Sequence, residues 1–225
     1  MGENTDNKFF TKTFFWMFLG LLGTAIVAWY TYSSGLCFKL ALSGGFAVVA
    51  IIELIAVLVF SLLFKKLSPT VVGILYFIYA FLNGVTLSSI FAIYDLTSIG
   101  LIFVVTSALF GILAFIGYKT NKDLSNWSTI LFTTLFVGII ASIINLFVGN
   151  TMVDIALTWI MLILFFGITV YDMNKLKMLS QDPNLNQDKL YVYGAMELYL
   201  DFIFSSPEPP FNKRKVLPFL SCFFM

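Results

Sequence analysis

The sequence predicts an all-α integral membrane protein of about seven transmembrane helices, six of them surrounding a short central seventh. Two observations carry the membrane assignment. Of the 225 side chains 60% are hydrophobic and only 11% are charged, which is more apolar surface than a soluble domain of this size can bury. The apolar residues also fall in uncharged runs near the roughly 20 residues a helix needs to cross a hydrocarbon core, where an uninterrupted helix satisfies its own backbone polar groups.

In chain order, an N-terminal arm of residues 1–13 leads into a first run from Phe14 to Tyr32, which is too long for a signal-peptide core and lacks an A-x-A exit. Further clear runs follow at Leu40 to Phe64, Thr70 to Tyr94, Leu96 to Tyr118, Trp127 to Asn150 and Ile155 to Tyr171. The seventh, Leu190 to Phe204, is shorter and carries Glu197 and Asp201, so it is expected to be enclosed by its neighbours. Short polar separators make residues 14–204 one tightly wound domain, and residues 205–225 form an atypical Pro-rich, basic tail. Whether the seventh run crosses fully or re-enters is left open by the sequence.

Charge sets the expected orientation. Lys8, Lys12, Lys65, Lys66, Lys119, Lys122, Lys175, Lys177 and Lys189 fall on alternate separators, and the opposite separators hold only Lys39. By the positive-inside rule this asymmetry puts the N-terminus in the cytoplasm. Trp16, Tyr30, Tyr32, Tyr94, Tyr118, Trp127 and Tyr171 cluster toward run ends, where amphipathic rings favour the headgroup layer. A net charge of +1 with basic residues in ones and twos argues against nucleic acid as a partner. Cys37 and Cys222 lie far apart and there is no histidine, so no zinc or haem site and no resident cofactor is expected. No nucleophile has a base beside it, which argues against a covalent enzyme. Every lysine lies at a run's end or beyond it, which removes a retinal-type Schiff base.

A carboxylate inside a membrane span costs on the order of 2.5–3.5 kcal/mol on insertion scales, so each one asks for a proton, a partner or water. Glu53 lies halfway along the second run, Asp172 ends the sixth, and Asp201 sits deep in the seventh. Asp172 has two readings, a solvated helix cap or a buried group. Glu197 and Asp201 are four apart and share a helical face. Two such groups in a poorly hydrated site do not both ionise easily, and with no histidine in the chain they are its main route to sensing pH. Oxygen ligands of this kind suit a hard cation such as calcium. Asn83, Gly84, Thr86, Ser88 and Ser89, like Gly20, Gly23 and Thr24, read as helix-packing positions, and Asn145 as an interhelical hydrogen bond.

The stretches Val170-Tyr171-Asp172-Met173-Asn174-Lys175-Leu176-Lys177 and Gly194-Ala195-Met196-Glu197-Leu198-Tyr199-Leu200-Asp201-Phe202-Ile203 resemble the transmembrane Bax inhibitor motif family (the Bax inhibitor-1 family), bacterial branch. Asn83 through Phe91 with Tyr94 also fits. The resemblance implies six helices around a central seventh. It also implies an aspartate pair, here Asp172 and Asp201, acting as pH sensor in a calcium leak path, and an acidic pore residue at Glu53. Glu197 joins the expected ion path, and the two aspartates are the expected calcium ligands. Some members latch the sensor with an arginine at the cytoplasmic end of the second helix. Lys65 and Lys66 occupy that region here, and a lysine offers a point charge instead of a planar fork.

These expectations describe a pH-regulated calcium leak channel in a bacterial plasma membrane, with lipid, calcium and protons as its partners. Two other readings stand beside it: an interaction protein modulating a membrane-bound ATP-dependent protease, and a calcium/proton exchanger. The tail departs from the family. Pro207-Glu208-Pro209-Pro210 stops a helix where the family continues one, and codons for those residues, read one base on, can encode Leu-Asn-Leu-Leu. A change of reading frame near residue 204 is the expectation this raises.

Overall fold

The computed structural model describes residues 2–64, 66–182 and 185–205, and every regular element among them is a helix. The order is α1 (Gly2–Ser33), α2 (Leu36–Ser43), α3 (Gly45–Leu63), α4 (Pro69–Ile93), α5 (Leu96–Lys119), α6 (Ser125–Val148), α7 (Thr151–Ser180) and α8 (Gln187–Ser205). Five of them are long and apolar enough to cross a membrane: α1 from Lys8, α4, α5, α6 as far as Asn145, and α7. The pair α2–α3 makes a sixth if its two helices are taken as one bent span, and α8 is the short additional helix. The chain is a multi-pass integral membrane protein. Lys65 and residues 206–225, with the Pro-rich tail, its suspected frame change and Cys222, lie outside the described residues.

The polar separators start the helices. Ser68 accepts from the Val71 N–H ahead of Pro69, which needs no amide partner at that position. Asp95 accepts from the Ser98 N–H at 2.9 Å and its hydroxyl at 2.8 Å, which holds its carboxyl below the usual carboxylate range. Asn150 caps α7 through Met152 and Val153, and Asn186 caps α8 through Asp188 and Lys189. Each cap satisfies amides that a helix end leaves without intrahelical partners.

Two run boundaries differ from expectation. The second run is not one helix from Leu40: the chain breaks at Gly44, whose φ of 72° favours glycine, and α2 lies at 93° to α3. The nineteen residues of α3 span about 28 Å by themselves. On α2, Leu36, Phe38 and Leu42 are exposed. The sixth run does not end at Tyr171, because α7 stays helical to Ser180. Polar residues beyond Tyr171 find protein partners: Asn174 donates to the Thr120 carbonyl at 3.0 Å and accepts from the Leu124 N–H at 3.4 Å, tying the α5–α6 connection to α7.

α1 packs along α4, with Gly84 at the approach; a Cβ there would stand 2.7 Å from the Thr24 carbonyl oxygen, so only glycine lets the helices come this close. α7 packs against α5 and α6. α8 packs against α1, α4, α5 and α7, and the rings of Phe60 on α3 and of Phe64 just past its end lie on its Tyr193. Leu198, Tyr199 and Ala195 of α8 are fully enclosed, as expected for the central short helix. Outward side chains such as Phe18, Ile26, Phe115, Phe136 and Ile163 are exposed and apolar, the surface that lipid covers.

Phe10 meets Tyr118 edge-on at 5.1 Å, Lys12 sits over the Tyr191 ring at 5.0 Å, and Lys177 donates to Asn121 at 3.1 Å. These contacts gather the start of α1, the ends of α5 and α7 and the start of α8, with their lysines, at one end of the bundle. Trp29, Tyr32 and Phe91 cluster at the other end.

Candidate functional site

A cavity of about 610 Å³ lies within the bundle, and Glu53, Asp172, Glu197 and Asp201 all line it. Four carboxylates from three helices, distant from one another in the chain, share one space.

Glu53, on α3, is 5% exposed and accepts from the Thr86 hydroxyl of α4 at 2.7 Å. Asp172 and Asp201 are 5% and 3% exposed. Asp172 lies inside α7, eight residues before Ser180, so it is not a helix cap. Thr169, about one turn earlier on the same helix, places its hydroxyl beside Asp201 of α8. The two aspartates lie within each other's electrostatic reach. Asp172 Oδ1 and Asp201 Oδ2 are buried without a hydrogen-bond partner.

Glu197 is not a second bare charge. Lys175 Nζ, from α7, donates to Glu197 Oε1 at 2.5 Å and to the Tyr193 hydroxyl at 3.1 Å, with its ammonium 5.2 Å from the Tyr193 ring centroid. Lys175 also lines the cavity, so a lysine that the sequence places on a polar separator is drawn inward and its amine is engaged. Asp172 and Lys175 are three apart and share a face of α7, which is the one sequence signal that points to it. Lys66 is exposed in the α3–α4 turn.

Across the cavity, Thr24 of α1 lies 2.9 Å from both the Gly20 and Ala80 carbonyl oxygens and 2.7 Å from the Tyr199 hydroxyl. A carbonyl only accepts and Thr24 has one hydroxyl proton, so Tyr199 donates to Thr24. Thr86, read from sequence as a packing position, therefore holds the site residue Glu53 in place, and Thr24, read likewise, ties α8 to α1 and α4. Asn145 bonds to the Asn150 carbonyl at 3.0 Å and to Asp154, bridging α6 and α7 as expected of it. Among the described residues no three His, Cys, Asp or Glu side chains converge to cage a metal ion; the acids line a space without closing on a point.

Known proteins give this arrangement a context. The family model described as "Inhibitor of apoptosis-promoting Bax1" matches residues 6–204. A protein named inner membrane protein YbhL, from Escherichia coli strain K12, is 37% identical over 201 residues, covering 87% of this chain and 86% of its own. An uncharacterised protein of Borreliella burgdorferi is 32% identical over 203 residues, 88% and 87% of the two chains. An uncharacterised membrane protein of Streptococcus pyogenes serotype M3 is 38% identical over 155 residues, 68% and 67% of the two. The family match reaches from α1 into α8 and takes in the four cavity acids, and the chain belongs to the Bax inhibitor-1 family.

Proposed function

We propose that the protein is a pH-regulated calcium leak channel of a bacterial plasma membrane, gated by proton exchange at Asp172 and Asp201. The observation that supports this reading best is the pairing of two buried aspartates, one from α7 and one from α8, each with an oxygen that has no hydrogen-bond partner, on a cavity shared with Glu53. A carboxylate only accepts hydrogen bonds, and a protonated one also donates. A proton on either aspartate gives that carboxyl a donor, and its loss leaves two buried charges within each other's electrostatic reach. The proton thus changes how firmly α7 and α8 are joined beside the cavity. Glu53 attracts the cation, and calcium passes as the transported species.

The lysine-rich end of the bundle faces the cytoplasm in this reading. A single cysteine at Lys119, which is exposed at that end, is expected to resist an impermeant thiol reagent in intact cells, and efficient labelling from outside would reverse the orientation.

Calcium flux into liposomes holding the purified protein, followed from about pH 5 to 8 around the range a buried acid reaches, tests the mechanism. Asp172→Asn and Asp201→Asn each fix one position neutral at nearly unchanged volume, and each is expected to lose most of the pH response. Glu53→Gln is expected to lower flux while leaving the midpoint in place. Asn variants with the unmodified pH profile would refute the pair as the sensor. Calcium movement against its gradient would instead indicate the exchanger, and a silent protein that retains a membrane protease would indicate the interaction role.

A further inference from the structure

The acids occupy only part of the cavity. Phe91, Ile102, Phe103, Leu135, Met161 and Phe165 line it as well, and none of these side chains offers an oxygen. A calcium ion takes six to eight oxygen ligands, and this apolar wall offers it none. A space of about 610 Å³ with mostly apolar walls and a few convergent polar groups has the size and character of a small-molecule site.

The polar end states what such a molecule would carry. Four cavity-lining residues hold a buried polar atom with no partner: Asp172 Oδ1, Glu197 Oε2, Asp201 Oδ2 and Asn83 Oδ1. All four atoms are acceptors. Among the described residues the one cation lining the cavity, Lys175, is already engaged by Glu197 and Tyr193. An ammonium group has three donors and no acceptor, so it matches unpartnered acceptors as a hydroxyl or carboxyl head does not.

We propose that the cavity binds a lipophilic primary amine, with its ammonium on Asp201 and its apolar body along the α5–α6–α7 wall. The amine crosses the lipid uncharged and takes the proton of the carboxylic acid it meets, so one N–H bond forms as one O–H bond breaks and an ammonium beside a carboxylate results.

Binding to the full chain in nanodiscs of zwitterionic lipid tests this, with empty nanodiscs subtracted and with neither calcium nor a gradient present, so that a silent conductance has no bearing on it. The probes are radiolabelled 4-phenylbutylamine and its neutral counterpart 4-phenylbutan-1-ol. Saturable binding of the amine, with the alcohol at least 10-fold weaker, is expected. Asp201→Asn should weaken the amine at least 10-fold and leave the alcohol unchanged. Equal binding of the two probes would mean that a neutral apolar guest, such as a lipid chain, fills the space, and would overturn the proposal. So would an absence of saturable amine binding, or full affinity in a well-folded Asp201→Asn. Should that variant fail to fold, the comparison of the two probes on the unmodified protein decides.

Discussion

Thr86 shows how much of the site rests on a single hydroxyl. It sits in a stretch of small and polar residues whose ordinary use is to let helices approach, and its partner is the buried Glu53 carboxylate at 2.7 Å. Thr86→Val keeps the shape and removes the donor. Leaving a buried acceptor unsatisfied costs about 1–3 kcal/mol, so this variant should unfold at lower temperature in detergent. Glu53→Gln in the same background should recover part of the loss, because an amide is cheaper to leave unpaired than a charge. A variant that melts with the unmodified protein would show that the bond does not stabilise the fold. Lys175 makes the complementary point, since a charge counted with the cytoplasmic lysines is also the counter-ion of Glu197.

At the scale of the element, α7 carries the site on one face and the α5–α6 connection on another. Asn174 is 2% exposed and holds both the Thr120 carbonyl and the Leu124 N–H. Asn174→Ala is expected to cost about 1–3 kcal/mol and to make the 120–124 connection the first site of limited proteolysis; unchanged cleavage would show that the connection is held by other means. The sequence made the helical class, the run order and all four cavity acids legible, because burial in lipid writes itself as uncharged length. It hid the break at Gly44, since hydropathy averages over two adjacent glycines that end one helix and start another. It also hid the last nine residues of α7, since hydropathy scores transfer into lipid and these residues are paid by protein partners. The Lys175–Glu197 contact depends on how α7 and α8 are rotated about their axes, which no one-helix pattern contains.

Over the whole molecule, α1 to α4 form one packed group and α5 to α7 another, and direct contacts between the groups, α4 with α5 and α1 with α7, are sparse beside those made through α8. α8 is bonded to both. Tyr199 reaches Thr24 of α1, while Glu197 and Asp201, roughly half a turn away around the helix, reach Lys175 and Thr169 of α7. A chain cut between Tyr94 and Asp95 and expressed as two pieces should therefore copurify. A second piece ending at residue 186, before α8, should not, and copurification without α8 would refute its role as the joint. The order of synthesis gives this arrangement a further consequence. α8 is the last of the described helices to leave the ribosome, so both groups must stand in lipid with their inner faces unmatched until translation reaches it. Thr24 then lacks Tyr199 and Asp172 lacks its neighbour Asp201, and polar groups in hydrocarbon are poorly tolerated. Assembly should accordingly be late and abrupt, and the interval before α8 arrives is when the nascent protein is most exposed to membrane quality control.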